Sequence, residues 1–553
     1  MKSQIPSLCF LAFSLIACGG QKVSDKDSPN TDSGSTPTDS GTETATDSGT
    51  PPSVCDQLGL PTRAFEETED STDLRTMAGD FEVETTNRTW RFSEQWVGCE
   101  NYLLIQDEPR QASGWPTPLW DRDVGTFLTA LPENTQVLFF STANSKSKRE
   151  ENLADLEKKV KNALKKWSTE ESDWREERLH YVTTKIRNIE GWPSTALTSP
   201  GWGIGINRFQ EIRYIGSYAD PTRYNSDAGW FEPNLSMAAN EAIYYNFEAE
   251  REIRLEAQNA DVFHIWEKET IGCGWSGNCT YTSVELPDAA TMATYDTLEM
   301  DMTMNCVGEG EYGDCPAWDY LVYLKLCDDE DPQSCPVEFG RWITTYHREG
   351  RWVHDLSGLL PLIESGGIKN FAFETANTYE VDLSIRLYNS GKAERPVNTT
   401  TLFSGSGFST TSNESYEPIE LAIPATSKKV ELAYVISGHG MSDPGNCAEF
   451  CVTDHDFGVN GTNNRVSLSD AAVQYGCMDQ VSEGTIPNQY GTWWYGRSNW
   501  CPGREVQLRT IDITDQVVAG ETATFSYAGF FNDGAYTGGG ASIRLKSWVV
   551  ISE

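Results

Sequence analysis

The chain has 553 residues, with 82 acidic against 43 basic side chains and a formal net charge of −39. That length supports three or four domains at about 150 residues each. The charge excludes a nucleic-acid backbone or an anionic lipid surface as a partner, because both repel it.

The N-terminus reads as a targeting signal. Lys2 supplies the positive start, Leu8 to Ile16 is a short apolar run, and "LIAC" (Leu15 to Cys18) closes it. The run is too short for a permanent bilayer span. The pattern resembles a bacterial lipoprotein signal over residues 1–18, with Cys18 as the lipidated first residue. The competing reading is an ordinary secretory signal with a coincidental cysteine; the polar stretch after Cys18 favours the lipid. Residues 19–54 are expected to be a disordered tether, in which "TDSG" recurs at Thr31, Thr38 and Thr46 among Ser, Thr, Gly and Pro. Such a composition buries too little apolar surface to fold. The expected location is the bacterial cell envelope, at the outer membrane or cell surface. The membrane is touched through the lipid alone.

Fourteen cysteines occur; removing Cys9 with the signal and Cys18 with the anchor leaves twelve. An even set in an exported chain reads as a disulfide framework. Proximity suggests Cys273–Cys279, Cys306–Cys315, Cys327–Cys335 and Cys447–Cys451, leaving Cys477–Cys501 and Cys55–Cys99. A zinc site would want Cys-x-x-Cys units or Cys/His tetrads, and neither pattern is present. No metal and no cofactor are expected.

Residues 55–258 read as an α/β layer domain. "QVLFFS" (Gln136 to Ser141) predicts a buried strand. A lysine-rich helix follows, with Leu153, Leu156, Val160 and Leu164 on one face. "LHYVTTKI" (Leu179 to Ile186) predicts another strand. A second helix from near Ser236 places Ala242, Tyr245, Ala249 and Ile253 on one side. The stretch "DFEVETTNRTWRFSEQWVGCENYLLI" resembles the opening hairpin and first central strand of a thioredoxin-like domain. The redox Cys-x-x-Cys is absent and Cys99 stands alone there, so an accessory role is expected in place of redox activity.

From about Val262 the texture becomes β. "TLEMDMTM" (Thr297 to Met304) and "VDLSIRL" (Val381 to Leu387) alternate strictly; "KVELAYVI" (Lys429 to Ile436) and "ASIRLKSWVV" (Ala541 to Val550) follow. Period-two runs separated by Gly, Pro, Asn and Asp indicate antiparallel sheets. "NSGKAERPVN" (Asn389 to Asn398) is the joint between two sandwiches, over residues 259–393 and 394–553. The fold class is therefore multidomain: an N-terminal α/β domain, then two antiparallel β sandwiches.

Three cysteine-bounded stretches gather polar and aromatic residues. They are Cys315 to Tyr320 within "GDCPAWDY", "NCAEFC" (Asn446 to Cys451) and "GRSNWCPG" (Gly496 to Gly503). The β half resembles the peptide-N-glycosidase F family on these residues. The family's cysteine pair followed by a Trp-Asp step is matched by Cys306, Cys315, Trp318 and Asp319. A "GRFITPY"-like strand appears as "GRWITTY" (Gly340 to Tyr346), and an acidic step as "FET" with Glu374. "ISGWGH", "CAEWC" and "RAGWCPG" appear in order as "ISGHGM" (Ile436 to Met441), "CAEFC" and "RSNWCPG" (Arg497 to Gly503).

The resemblance implies two adjacent eight-stranded jelly rolls with an active site in the cleft between them. It implies an amidase in which water attacks the glycosylated asparagine side chain, leaving aspartate and releasing the glycan. It makes Asp319 the catalytic acid/base and Glu449 a second carboxylate linked to it through water. Glu374 would grip the chitobiose core and Arg497 would line the cleft. Trp318, Trp493, Trp494 and Trp500 would offer flat rings to sugars, with His439 standing where the family has a tryptophan. Other departures are Tyr320 for an arginine, Phe450 for a tryptophan and Met441 for a histidine. The expected substrates are N-linked glycoproteins or glycopeptides, and the expected state is a monomer. Without the resemblance, Asp319, Glu374 and Arg497 read as structural charges and most tryptophans as core. The rival functions are a non-catalytic glycan- or glycoprotein-binding surface lipoprotein and a copper monooxygenase. The latter is disfavoured because the six histidines (His180, His264, His347, His354, His439 and His455) show no metal-like spacing.

Overall fold

A computed structural model describes residues 53–108, 118–199, 203–275, 277–308 and 315–553. The signal, Cys18, nearly all of the tether, and Gly313 and Asp314 lie outside the described residues. None of the described helices is long and apolar enough to cross a membrane.

The α/β part is a five-stranded mixed sheet. Its order is Leu179–Val182, Thr135–Phe140, Asn101–Gln106, Gly203–Ile206 and Ile212–Ile215. The first three strands are parallel and the last two antiparallel. Asn101–Gln106 and Thr135–Phe140 are buried at every position, which is why they read as continuous apolar runs: both faces are covered. The helix Lys146–Leu164 buries Leu153, Leu156, Val160 and Leu164, the stripe its spacing predicts. Its N-terminus is capped by the Ser145 side chain accepting from the Lys148 amide. In the closing helix Ala239–Ala257, Ala242, Tyr245 and Ala249 are buried as expected. Ile253 is only half-buried, and Leu255 fills that end. The strand expected through Ile186 stops at Val182, where the chain turns toward the one-turn helix Ile186–Asn188.

The β half forms two sandwiches. In the first, Asp261–Ile271, Tyr379–Tyr388, Thr297–Asn305 and Gly350–Asp355 make one sheet. It faces Thr280–Asp288, Gly366–Thr375, Leu321–Leu326 and Val337–Ile343. In the second, Pro396–Gly407, Ser542–Ser552, Lys429–His439 and Arg509–Asp512 face Ile419–Ala422, Thr522–Phe530, Asp454–Val459 and Thr462–Ser467. Counted along the chain within each sandwich, the orders are 1-8-3-6 and 2-7-4-5. That is the jelly-roll arrangement, with eight strands in two Greek keys. Leu298, Met300, Met302 and Met304 point into the first core, as do Val381, Leu383, Ile385 and Leu387.

Two strands of the second sandwich do not alternate. Leu432, Tyr434 and Ile436 face their own core, whereas Ala433 and Val435 join the first. In Ser542–Ser552, Val549 and Ile551 divide from Trp548 and Val550 in the same way. Both faces of this sheet are therefore buried, and its outer face is the seam between the sandwiches. The segment from Cys477 to Leu508 crosses that seam. Val481, Ile486, Trp493, Trp494, Trp500 and Val506 belong to the first core, and Arg504–Glu505 adds a fifth strand beside Trp342 and Ile343. A boundary at 394 thus separates the sheets but not the packing. The α/β part shares the same continuous core and is pinned by a buried ion pair: Arg348 Nη1 lies 3.0 Å from Glu241 Oε1. Asn488 Nδ2 donates to the same oxygen at 3.0 Å.

All six disulfides, Cys55–Cys99, Cys273–Cys279, Cys306–Cys315, Cys327–Cys335, Cys447–Cys451 and Cys477–Cys501, are formed. They fit an exported protein.

Candidate active site

Asp319 sits in a short loop between Cys315 and the strand Leu321–Leu326. Thr344, just past the strand Val337–Ile343, clamps that loop. Its hydroxyl donates to the Trp318 carbonyl at 2.9 Å and accepts from the Tyr320 amide at 2.8 Å, while its own amide donates to the Tyr320 carbonyl at 2.9 Å. The His347 amide ties down the Pro316 carbonyl at 3.1 Å. The motifs "CPAWDY" and "GRWITTY" are therefore two halves of one device that fixes Asp319. Tyr346, the last residue of the second, donates its hydroxyl to Asp319 Oδ2 at 2.6 Å.

The second sandwich supplies Glu449 from the loop closed by Cys447–Cys451. Its amide donates to the Gly440 carbonyl at 3.0 Å, and its carbonyl accepts from the Ser498 amide at 2.9 Å. Ser498 in turn donates its hydroxyl to the Cys451 carbonyl at 3.0 Å. So "ISGHGM", "CAEFC" and "RSNWCPG" also interlock. The third carries Arg497, whose side chain is 1% exposed.

Arg497 joins the two halves. Its Nε lies 3.2 Å from Glu449 Oε1 and 3.8 Å from Asp319 Oδ2. The two carboxylates are thus no farther apart than those two legs allow. Nη2 donates to the Tyr346 hydroxyl at 3.1 Å, and Nη1 to the Tyr495 carbonyl at 2.7 Å. The guanidinium carbon lies 5.1 Å from the Trp500 ring centroid and 5.4 Å from that of Phe450, within cation–π range.

Burial raises the Asp319 carboxyl above the usual aspartate range, against the pull of Arg497 and the Tyr346 hydroxyl. Glu449 is pushed up to about 7, first by burial and then by the Asp319 charge, with Arg497 opposing. Two carboxyls that share one cation in a half-dry cleft separate into one that ionises and one that keeps its proton near neutrality. A stability consequence follows. A carboxyl whose folded pKa is raised favours folding below its unfolded value, ordinarily 4.5 for Glu449. That contribution is lost as pH climbs through about 7. Glu449→Gln should remove this decline. The difference in unfolding free energy between variant and parent should move by about 3 kcal/mol in favour of the variant between about pH 4 and pH 8. Denaturant titrations at the two pH values measure it; parallel pH dependences for both proteins would refute it.

The remaining residues singled out from the sequence divide. Trp318 is 62% exposed and meets Tyr346 edge-on, with centroids 6.4 Å apart. Trp500 is nearly buried, donates its indole N–H to the Gly438 carbonyl at 2.7 Å and stacks on His439 at 5.1 Å. His439 bonds Ser437 Oγ at 2.8 Å. Burial, with Arg341 and Arg544 nearby, holds its imidazole well below the usual range, so it is neutral. Trp493 and Trp494 are corrections: both are wholly buried and belong to the core, Trp494 packed edge-to-face on Phe231 at 5.0 Å because the α/β part covers it. Glu374 is separate from the carboxylate pair. It accepts from Lys325 Nζ at 2.7 Å and lines a cavity of about 410 Å³ between the sandwiches, with Tyr323, Glu338 and Arg341 on one side and Arg544 and Lys546 on the other. Among the described residues no group of three or more His, Cys, Asp or Glu side chains is arranged to hold a metal ion. Tyr346 and Thr344 were missed from the sequence. Both lie inside or against a quoted motif, but only their hydrogen bonds reveal their part.

Comparison with known proteins adds the following. The chain resembles the crystal structure of peptide-N(4)-(N-acetyl-β-D-glucosaminyl) asparagine amidase, at 20% identity and a TM-score of 0.44 over 53% of this chain and 96% of that one. It resembles PNGase F, a glycosylasparaginase from Flavobacterium meningosepticum, at 19% identity and a TM-score of 0.42 over 53% and 96%. It resembles PNGF-II at 12% identity and a TM-score of 0.41 over 55% and 67%. No curated protein matched. The model of one family, described as peptide-N-glycosidase F, C terminal, matches residues 408–547, the span of the second sandwich that carries Glu449 and Arg497, so that this part of the chain is similar to the C-terminal domain of that family.

Proposed function

We propose that the chain is an amidase acting on N-linked glycoproteins or glycopeptides. It hydrolyses the bond between the asparagine side chain and the first GlcNAc, leaving aspartate and releasing the glycan as a glycosylamine. The observation that carries this reading is the convergence of Asp319 and Glu449, from two sandwiches, on the single buried Arg497. Ionised Asp319 takes a proton from water as the water oxygen attacks the amide carbonyl carbon. Protonated Glu449 gives its proton to the departing nitrogen as the carbon–nitrogen bond breaks. Positioned acid–base pairs of this kind contribute roughly 10²- to 10⁴-fold each. Arg497 and Tyr346 hold the two carboxyls in register and spread the negative charge. Trp318 and Trp500 border the site, and Glu374, beside Lys325, offers a carboxylate to sugar hydroxyls in the inter-sandwich cavity.

In the same reading the α/β part, with its parallel strands, antiparallel pair and closing helix, is a thioredoxin-like accessory domain. The protein is a monomeric cell-envelope lipoprotein held through Cys18. The test incubates the full chain with a denatured N-glycoprotein. Mass spectrometry then looks for Asn-to-Asp conversion at glycosylation sites together with an intact released glycan. Binding without conversion across several pH values would replace the amidase with a glycan-binding lipoprotein on the same scaffold.

A further inference from the structure

The loop closed by Cys273–Cys279 carries Trp275, which is 86% exposed. An indole that open to water removes little apolar surface from solvent and so adds little to the fold. Its ring meets Tyr320 edge-on, with centroids 5.9 Å apart. Tyr320 follows Asp319 directly, and Trp318 precedes it. The carboxylate is thus flanked along the chain by two aromatic residues, and Trp275 widens the rim on the Tyr320 side. The same loop reaches the cavity. Asn278 Oδ1 accepts from Lys325 Nζ at 2.8 Å, and Lys325 also donates to Glu374 at 2.7 Å.

We propose that Trp275 is a specificity-determining platform on which a pyranose ring of the glycan core stacks, with that sugar's hydroxyls turned toward the charged cavity beyond Lys325. The inference rests on the placement of the glycan at this seam in the function proposed above. A pyranose has an apolar C–H face and a polar rim, and this loop offers one surface for each: the open indole of Trp275, and, through the Asn278 bond to Lys325, the cavity that Lys325, Glu374, Arg341 and Glu338 line. An extended peptide would instead want a free strand edge. The loop gives none at its ends, because the Cys273 and Cys279 amides already donate to the carbonyls of Thr375 and Phe373 at 3.2 and 3.3 Å.

The test titrates full-length Asp319→Asn with free chitobiose, read by tryptophan fluorescence, and separately with the sugar-free peptide. Both titrations are repeated after adding Trp275→Ala or Trp275→Phe. Trp275→Ala should weaken chitobiose about tenfold, the loss of one stacked ring. Trp275→Phe should keep most of the affinity, and the peptide should respond to neither. In the otherwise unaltered chain, Trp275→Ala should raise KM for a glycopeptide by a similar factor and barely move kcat. No chitobiose binding, an affinity unchanged by Trp275→Ala, or a loss confined to the peptide would each overturn the platform. If the parent never cleaves while its chitobiose affinity still depends on Trp275, the amidase reading fails and the platform stands.

Discussion

Asp319→Asn should lower turnover of a denatured N-glycoprotein by about 10³-fold while leaving its affinity for the glycan within a few fold. The asparagine is isosteric, so the clamp by Thr344 and the hydroxyl bond from Tyr346 can both persist. What disappears, in the proposed reaction, is the group that takes the proton from water. The loss belongs to kcat because no ground-state contact with the sugar is removed. Release of glycan measured at fixed enzyme, together with binding measured independently, separates the two quantities. A variant that keeps most of its turnover would show that Asp319 is a structural acid and that the chemistry lies elsewhere. A variant whose binding collapses as well would point to a folding defect in the loop.

Arg497→Met carries the second large effect. The guanidinium lies 3.2 Å from Glu449 and 3.8 Å from Asp319 and is almost wholly enclosed. Methionine fills much of the volume between Phe450 and Trp500 but leaves two confined carboxyls facing each other without a cation. Removing one partner of a buried ion pair costs about 3–5 kcal/mol. The carboxyls can evade that cost only by staying protonated. Their raised pKa values rise further in the variant, so its stability falls as pH increases above the unfolded values. The deficit should accordingly be small at about pH 4 and full at about pH 8. It should largely vanish when Asp319→Asn and Glu449→Gln are present too, since neutral amides need no counter-charge. Denaturant midpoints for the parent, the single variant and the triple variant at both pH values decide the matter. A deficit equal at both pH values and undiminished in the triple variant would assign Arg497 a packing role between its aromatic neighbours.

Much of this molecule was legible in its residues. The stripe Leu153, Leu156, Val160 and Leu164 and the period-two runs around Met300 and Leu383 marked elements whose burial depends on local repeat alone. Four disulfides came out as paired by proximity, because short loops bring their ends together cheaply, and Cys477–Cys501 and Cys55–Cys99 as the cysteines that remained. Two classes of position resisted. Lys429–His439 and Ser542–Ser552 bury both faces, because the second sandwich lays one sheet against the first; no alternation announces that. Trp494 read as a sugar-stacking ring and is core, because the residue that covers it, Phe231, comes from the α/β part some 260 positions earlier in the chain.

By itself the sequence determined most of the elements, the two β halves, the cysteine pairs and the short motifs around Asp319, Glu449 and Arg497, chiefly from patterns local to each segment. Only the tertiary structure decided that these motifs interlock. Thr344 holds the loop of Asp319, Ser498 holds that of Glu449, and Arg497 draws both acids to one seam. The reason is electrostatic and geometric: a carboxyl's proton affinity is set by the charges and the solvent around it, and those are supplied here by a second sandwich more than a hundred residues away.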